Sequence, residues 1–171
     1  HRREKVQIPP DFYGLDEVEL AVNHGDLVSG HYWQWLLEKG VDPTRLQGPG
    51  RALPHASRWN QVWRTAVPEE LYPTRYVAER TAAFLERQAK TPERPFLAFC
   101  SFPDPHHPFT PPGRYFDLYD PARIPLPETF GDRHERSMPH LQRMIASRGQ
   151  QGMPVAPFAP TEEQFREMAA C

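Results

Sequence analysis

Proline decides much of what this chain can become. It holds 21 prolines in 171 residues, roughly twice the usual share of about 5%. Each fixes φ near −65° and removes an amide donor, so few suit a helix interior or a central strand. Pro43, Pro49, Pro54 and Pro68 interrupt residues 41–72, and prolines punctuate 103–160 throughout. The first stretch is expected to be ordered loop with at most one short helical turn. The second is expected to be irregular, with one helix around Met138 to Arg148. So long an irregular run rarely stands alone in a compact domain. It should wrap a surface or lean on support from elsewhere.

The windows between prolines carry the regular structure. Trp33, Leu36 and Leu37 fall at i, i+3, i+4 and predict a helix. Asp26 or Ser29 can cap its start, and Gly40 its end. A second helix is predicted from Thr74 to Ala89, with Val77, Thr81, Phe84, Leu85 and Gln88 on one stripe. Thr161-Glu162-Glu163-Gln164 reads as a capping box opening a third, which reaches Cys171 without a stop signal and looks truncated. Asp16 to Val22 reads as a short strand. Residues 95–102 matter most, because Phe96-Leu97-Ala98-Phe99-Cys100-Ser101-Phe102 is nearly unbroken apolar sequence. It is too short for a buried helix and lacks alternation. It is therefore expected to be a central strand buried on both faces, with the 74–89 helix beside it. The expected class is α/β, parallel strands flanked by helices and joined by long proline-rich loops.

Several functions are disfavoured by composition. The net charge of −2 offers no counterion-driven grip on nucleic acid or on an anionic membrane. No apolar run approaches the ~20 residues of a membrane span. Two cysteines, Cys100 and Cys171, make neither a disulfide framework nor a multi-cysteine zinc site and leave the redox compartment open. The chain opens on the polar His1-Arg2-Arg3-Glu4-Lys5 without an initiator Met. Residue 1 is therefore not expected to be a natural start, and the compartment cannot be read from it.

Chemistry concentrates after the apolar run. In α/β folds ligands collect at the carboxyl ends of strands. Here that end holds Asp104, His106 and His107 among Pro103, Pro105 and Pro108. A stiff loop there can fix an imidazole for proton transfer or anion contact. It can equally be a surface loop whose histidines cap carbonyls. His24-Gly25-Asp26 can line the pocket mouth or be only a turn. Trp33, Trp35, Trp59 and Trp63 read as packing residues rather than as a carbohydrate platform. His31, His55, His134 and His140 have no partners at metal-ligand spacing.

The run from Phe96 through Pro105-His106-His107-Pro108-Phe109 resembles the mid-chain signature of type I sulfatases, in the alkaline phosphatase superfamily. The likeness continues through Pro111-Pro112-Gly113-Arg114-Tyr115-Phe116, Leu118-Tyr119-Asp120-Pro121 and Ile124-Pro125-Leu126-Pro127. Arg75 to Thr81 looks like the helix that precedes the signature, and Gly14 to Val18 and His24 to Asp26 are also similar to bacterial members. It is specific over about residues 70–127. The resemblance implies a partial sulfatase-like fold and a small-molecule sulfate ester as substrate. It implies a catalytic and substrate-binding role for His106, which would hydrogen-bond or protonate near the transferred sulfuryl group. His107 fills the variable position and is expected to point away.

Other family elements are missing from these 171 residues. The family makes a formylglycine nucleophile from the Cys or Ser of Cys/Ser-x-Pro-x-Arg. After Cys100 comes Ser101-Phe102-Pro103-Asp104, with no arginine, and Cys100 is expected to be a core residue of the strand. Calcium in the family sits on an Asp-Asp pair and a later Asp-His or Asp-Asn, oxygen-rich as a hard cation demands. No Asp-Asp occurs here, nor Asp-His-Gly or Asp-Asn-Gly. Residues 1–171 therefore read as an internal piece of a catalytic domain, inactive by itself, with nucleophile and metal ligands elsewhere in the parent. Alternatives are a phosphonate monoester or phosphodiester hydrolase of the same superfamily, or a non-catalytic binding module. Sheet edges left open by missing strands would invite association between copies.

Overall fold

Four helices and one very short β ladder carry the regular structure of the described residues, 6–149 and 159–171, in the computed structural model. The ladder pairs β1 (Ala21–Val22) antiparallel with β2 (Ser29–Gly30), Ala21 opposite Gly30 and Val22 opposite Ser29. It is the remnant of the longer strand expected over Asp16 to Val22. Helix α1 (His31–Glu38) follows at once. Its N-cap is Gly30, not Asp26 or Ser29, and no side chain caps it. The helix turns so close to β1 that a Cβ on Gly30 would lie 2.4 Å from the Leu20 carbonyl oxygen, at φ +79°. Only glycine fits there. His31 closes the same corner, because its Nδ1 accepts the Leu20 amide proton at 2.8 Å and its own amide donates to the Leu20 carbonyl at 2.9 Å.

Helix α2 (Pro73–Gln88) matches the predicted amphipathic segment, with Pro73 in its first turn. Proline is tolerated there because that amide has no helical partner. α1 and α2 meet through an aromatic triangle: Tyr32, Trp35 and Tyr76 have centroids 5.4–5.9 Å apart. Such pairs contribute about 0.5–1.5 kcal/mol beyond their burial. The four tryptophans are all buried, as the packing reading expected. The indole nitrogens of Trp33, Trp35 and Trp63 donate to Gln47, Glu79 and Asp26 respectively. The segment ahead of β1 lies along α2, held by Arg87–Glu17 at 2.6 Å and Arg80–Glu19 at 3.2 Å. Exposed pairs of this kind add little stability.

Residues 41–72 are ordered loop with three single 3₁₀ turns, Pro43–Arg45, Pro49–Arg51 and Glu69–Leu71. Helix α3 (Pro139–Ala146) lies where one was expected. Helix α4 (Glu162–Ala170) opens on a complete capping box, in which Thr161 Oγ1 accepts the Gln164 amide and Gln164 Oε1 accepts the Thr161 amide. No helix among the described residues is long and apolar enough to cross a membrane.

The expected central strand is not there. Residues 96–102 join no ladder, and Leu97 and Phe99 are 87% and 88% exposed. Cys100 is exposed rather than a core residue. A strand becomes buried on both faces only where neighbouring strands pair its amides and helices cover it. Helix α2 reaches it through the Phe84–Phe96 ring contact at 5.4 Å and a Thr81 hydroxyl bond to the Cys100 sulfur. The parallel sheet is likewise absent among the described residues, where one parallel pairing joins Val62 to Phe109. The architecture is mixed: helices, a two-stranded antiparallel ladder and long tethered loops.

One buried carboxyl ties the loops together. Asp26 is fully buried. Its Oδ2 accepts from Trp63 Nε1 at 2.9 Å and Thr65 Oγ1 at 2.7 Å, and its Oδ1 accepts from the Gly48 amide at 3.3 Å. Burial holds its pKa above the ordinary carboxylate value, against those three bonds. A raised folded-state pKa means the native chain keeps this proton after the unfolded chain has lost it. The group thus favours folding most at low pH, and that contribution fades as pH rises through the folded value. Replacing Asp26 by Ala strands three buried donors, each costing about 1–3 kcal/mol. Asp26→Ala should lower unfolding free energy by at least about 3 kcal/mol in urea titration. An unchanged midpoint would show that the network carries no stability.

Candidate active site

The Asp26 loop and the Pro103–Thr110 turn are built against each other. The Asp26 amide donates to Thr110 Oγ1 at 2.8 Å, across 84 residues of sequence. Gly25 makes the approach possible. At φ +54°, a Cβ there would fall 2.5 Å from the Pro108 carbonyl oxygen and 2.8 Å from Thr110 Oγ1. The turn is also anchored from behind, where the Phe109 amide donates to the Gln61 carbonyl at 2.7 Å. Its peptide bonds Asp104–Pro105 and His107–Pro108 are both cis.

This packing brings His24 against His106. Their rings stack with centroids 3.6 Å apart and planes within 16°. His106 in turn stacks on His107 at 4.2 Å and 29°. His107 does not share the open groove that His24 and His106 line. The turn folds its ring back onto its neighbour. His106 Nδ1 lies 2.6 Å from the His107 carbonyl oxygen. A carbonyl can only accept, so Nδ1 carries the proton and Nε2 is left for a ligand.

Asp104 completes the cluster. Thr74 donates to its Oδ2 at 3.1 Å, and the Tyr72 hydroxyl approaches its Oδ1 at 3.5 Å. Tyr72 also reaches Thr110 Oγ1 at 3.1 Å. A continuous polar path thus runs from Trp63 and Thr65 through Asp26, Thr110 and Tyr72 to Asp104. Burial raises the Asp104 pKa, opposed by its bonds to Thr74 and Tyr72 and by nearby His24. His24 is shifted the other way: burial lowers its pKa first and the charge of His106 second, with Asp104 opposing. His107 is lowered by burial and by its two neighbouring imidazoles.

The stack stands at one end of an open groove of about 760 Å³. β1 and α2 line one part of it, and the apolar strip 97–102 lines another. His24 and His106 both reach it. His31, by contrast, is spent on the β1–α1 corner, and His55 packs its edge on Phe116 at 6.1 Å. Neither they nor His134 and His140 line the groove. Of the residues singled out by sequence, the fold therefore unites His24, Asp104, His106 and His107. Tyr72, Thr74 and Thr110 were missed, since hydroxyls in loops carry no periodic signal.

The cluster suits anions and protons better than a metal. Three face-stacked imidazoles set their nitrogens side by side rather than converging them. Asp104 is engaged by hydroxyls, and Asp26 is sealed in the core. Among the described residues no group of three or more His, Cys, Asp or Glu converges to hold an ion. Calcium, which wants six to eight oxygens, does not fit these side chains.

Comparison with known proteins gives a partial relationship. The chain is 41% identical over 96 residues to an arylsulfatase of Clostridium perfringens (strain 13 / Type A), a stretch covering 56% of this chain. It spans 19% of that relative's length. No protein-family model matches the chain, and no solved structure does.

The contact at Gly25 gives a direct test of how the site is assembled. Gly25→Ala forces a Cβ into backbone that cannot yield cheaply and strains a positive φ, at a cost of about 1–3 kcal/mol. It should move the ring-proton resonances of both His24 and His106 in NMR spectra of the folded chain. Movement of His24 alone would mean that the two loops are not packed together.

Proposed function

We propose that this chain is part of a sulfatase, a sulfuric ester hydrolase, and forms one wall of its active site. The observation that carries the reading is the 41% identity over 96 residues to an arylsulfatase. The stacked histidines at the groove support it, since they supply what a sulfate ester needs from a protein wall. In this reading the formylglycine nucleophile and the divalent metal belong to segments outside these 171 residues. The missing Cys/Ser-x-Pro-x-Arg and Asp-Asp patterns and the 19% coverage of the relative both favour that division.

His106 is the residue through which this wall acts. Its Nδ1–H is committed to the His107 carbonyl, so the ring is held and Nε2 faces the chemistry. As imidazolium it donates from Nε2 to an ester or sulfuryl oxygen, where negative charge grows as the S–O bond breaks. Once the alcohol has left, the neutral imidazole recovers a proton from water. The substrate is a small-molecule sulfate ester.

Two assays test the reading. In the intact protein that contains these residues, His106→Ala should lower kcat for an aryl sulfate by about 10²–10³. His107→Ala should cost much less, because the backbone carbonyl that holds His106 Nδ1 survives the change. Equal losses, or a larger loss at His107, would remove His106 from this role. Turnover of an aryl phosphonate but not of an aryl sulfate would sink the sulfatase reading itself. The 171-residue chain alone should hydrolyse aryl sulfate no faster than its own His106→Ala variant.

A further inference from the structure

We propose that His24 is the positioning residue of His106, the two rings forming one stacked imidazole pair that holds a single positive charge. This inference rests on the sulfatase reading for its catalytic consequence, but the pair itself rests on geometry. The two residues come from loops far apart in sequence. They are locked face to face by the Gly25–Pro108 contact and the Asp26–Thr110 bond. At 3.6 Å and 16° the rings are in full contact. Two imidazolium ions cannot share that contact cheaply, whereas a neutral ring under a charged one is favourable.

The surroundings choose which ring stays neutral. The groups facing the pair are Asp104 and His107, with Tyr72 and Thr74 behind Asp104. Burial is the largest influence on His24 and disfavours its charged form, with the charge of His106 adding to the effect. His24 is therefore the neutral platform on which the His106 ring rests. His107, in ring contact with His106 at 4.2 Å, is likewise shifted toward its neutral form by burial. His106 thus contacts both rings, and its Nδ1–H bond to the His107 carbonyl limits its rotation. A ring held in this way has little freedom to turn.

Two readouts test this, and they fail separately. In the 171-residue chain, histidine ring protons are followed by NMR from pH 4 to 9 in wild type, His24→Phe and His106→Phe. Phenylalanine keeps an aromatic face and cannot titrate. The midpoint of His24 should rise in His106→Phe. The size of that shift measures the coupling between the two rings. Independent titrations would overturn the pair.

In the intact protein, His24→Ala should lower kcat for an aryl sulfate about tenfold or more with little change in KM, since a loosened ring is misplaced. His24→Phe should restore kcat to within about threefold, because phenylalanine keeps the stacking face. Wild-type kcat in His24→Ala, or no rescue by Phe, would overturn the positioning role. Coupled titration in a protein that turns over no sulfate ester would support the pair and sink the sulfatase reading. Independent titration in an active sulfatase would do the reverse.

Discussion

The Asp26 carboxyl is the constraint on which the rest of this structure depends. It is fully buried and accepts from an indole, a hydroxyl and an amide. Those donors come from Trp63, Thr65 and Gly48, in stretches with no regular structure to hold them. A helix or sheet satisfies its own backbone, but a proline-rich loop must find partners elsewhere. Asp26 gives two separate loop stretches, at Gly48 and at Trp63 to Thr65, a common acceptor. Leaving either of them would expose a buried donor at a cost of kilocalories, not tenths. Loops that are irregular in dihedrals are thereby made specific in position.

The same residue links stability to the site. Its amide holds Thr110, and Thr110 with Tyr72 leads to Asp104. Two loops with no sequence proximity are thus placed so that His24 and His106 stack. Rigid positioning is what an imidazole needs in order to act on one oxygen of a substrate. The prolines that forbid secondary structure around the turn serve that end, because they limit the ways the turn could relax.

Helices were legible in the sequence, and the sheet was not. The stripe through Val77, Thr81 and Phe84 and the Thr161–Gln164 box reported structure that forms from local rules. The run Phe96–Phe102 reported a burial that the described residues do not provide, since strand burial depends on partners that a local pattern cannot see. Asp26 was read as a cap and proved to be a core acceptor. An aspartate next to glycine looks the same in both roles until Trp63 and Thr65 are brought to it. The turn with His106 was legible because prolines, histidines and an aspartate fall together after an apolar run. His24 was legible only as a residue in a glycine turn, because its meaning comes from a contact with residue 106.

The most direct measurement of this account is a nuclear Overhauser effect between the ring protons of His24 and His106 in the folded, isotope-labelled chain. At a centroid separation of 3.6 Å it should be strong in wild type. It should weaken in Thr110→Val, which cuts the bond from the Asp26 loop to the turn, while the Trp63 indole proton stays protected from exchange. No effect between the two rings in wild type, with the Trp63 proton protected, would contradict the claim that the buried carboxyl organises the histidine site.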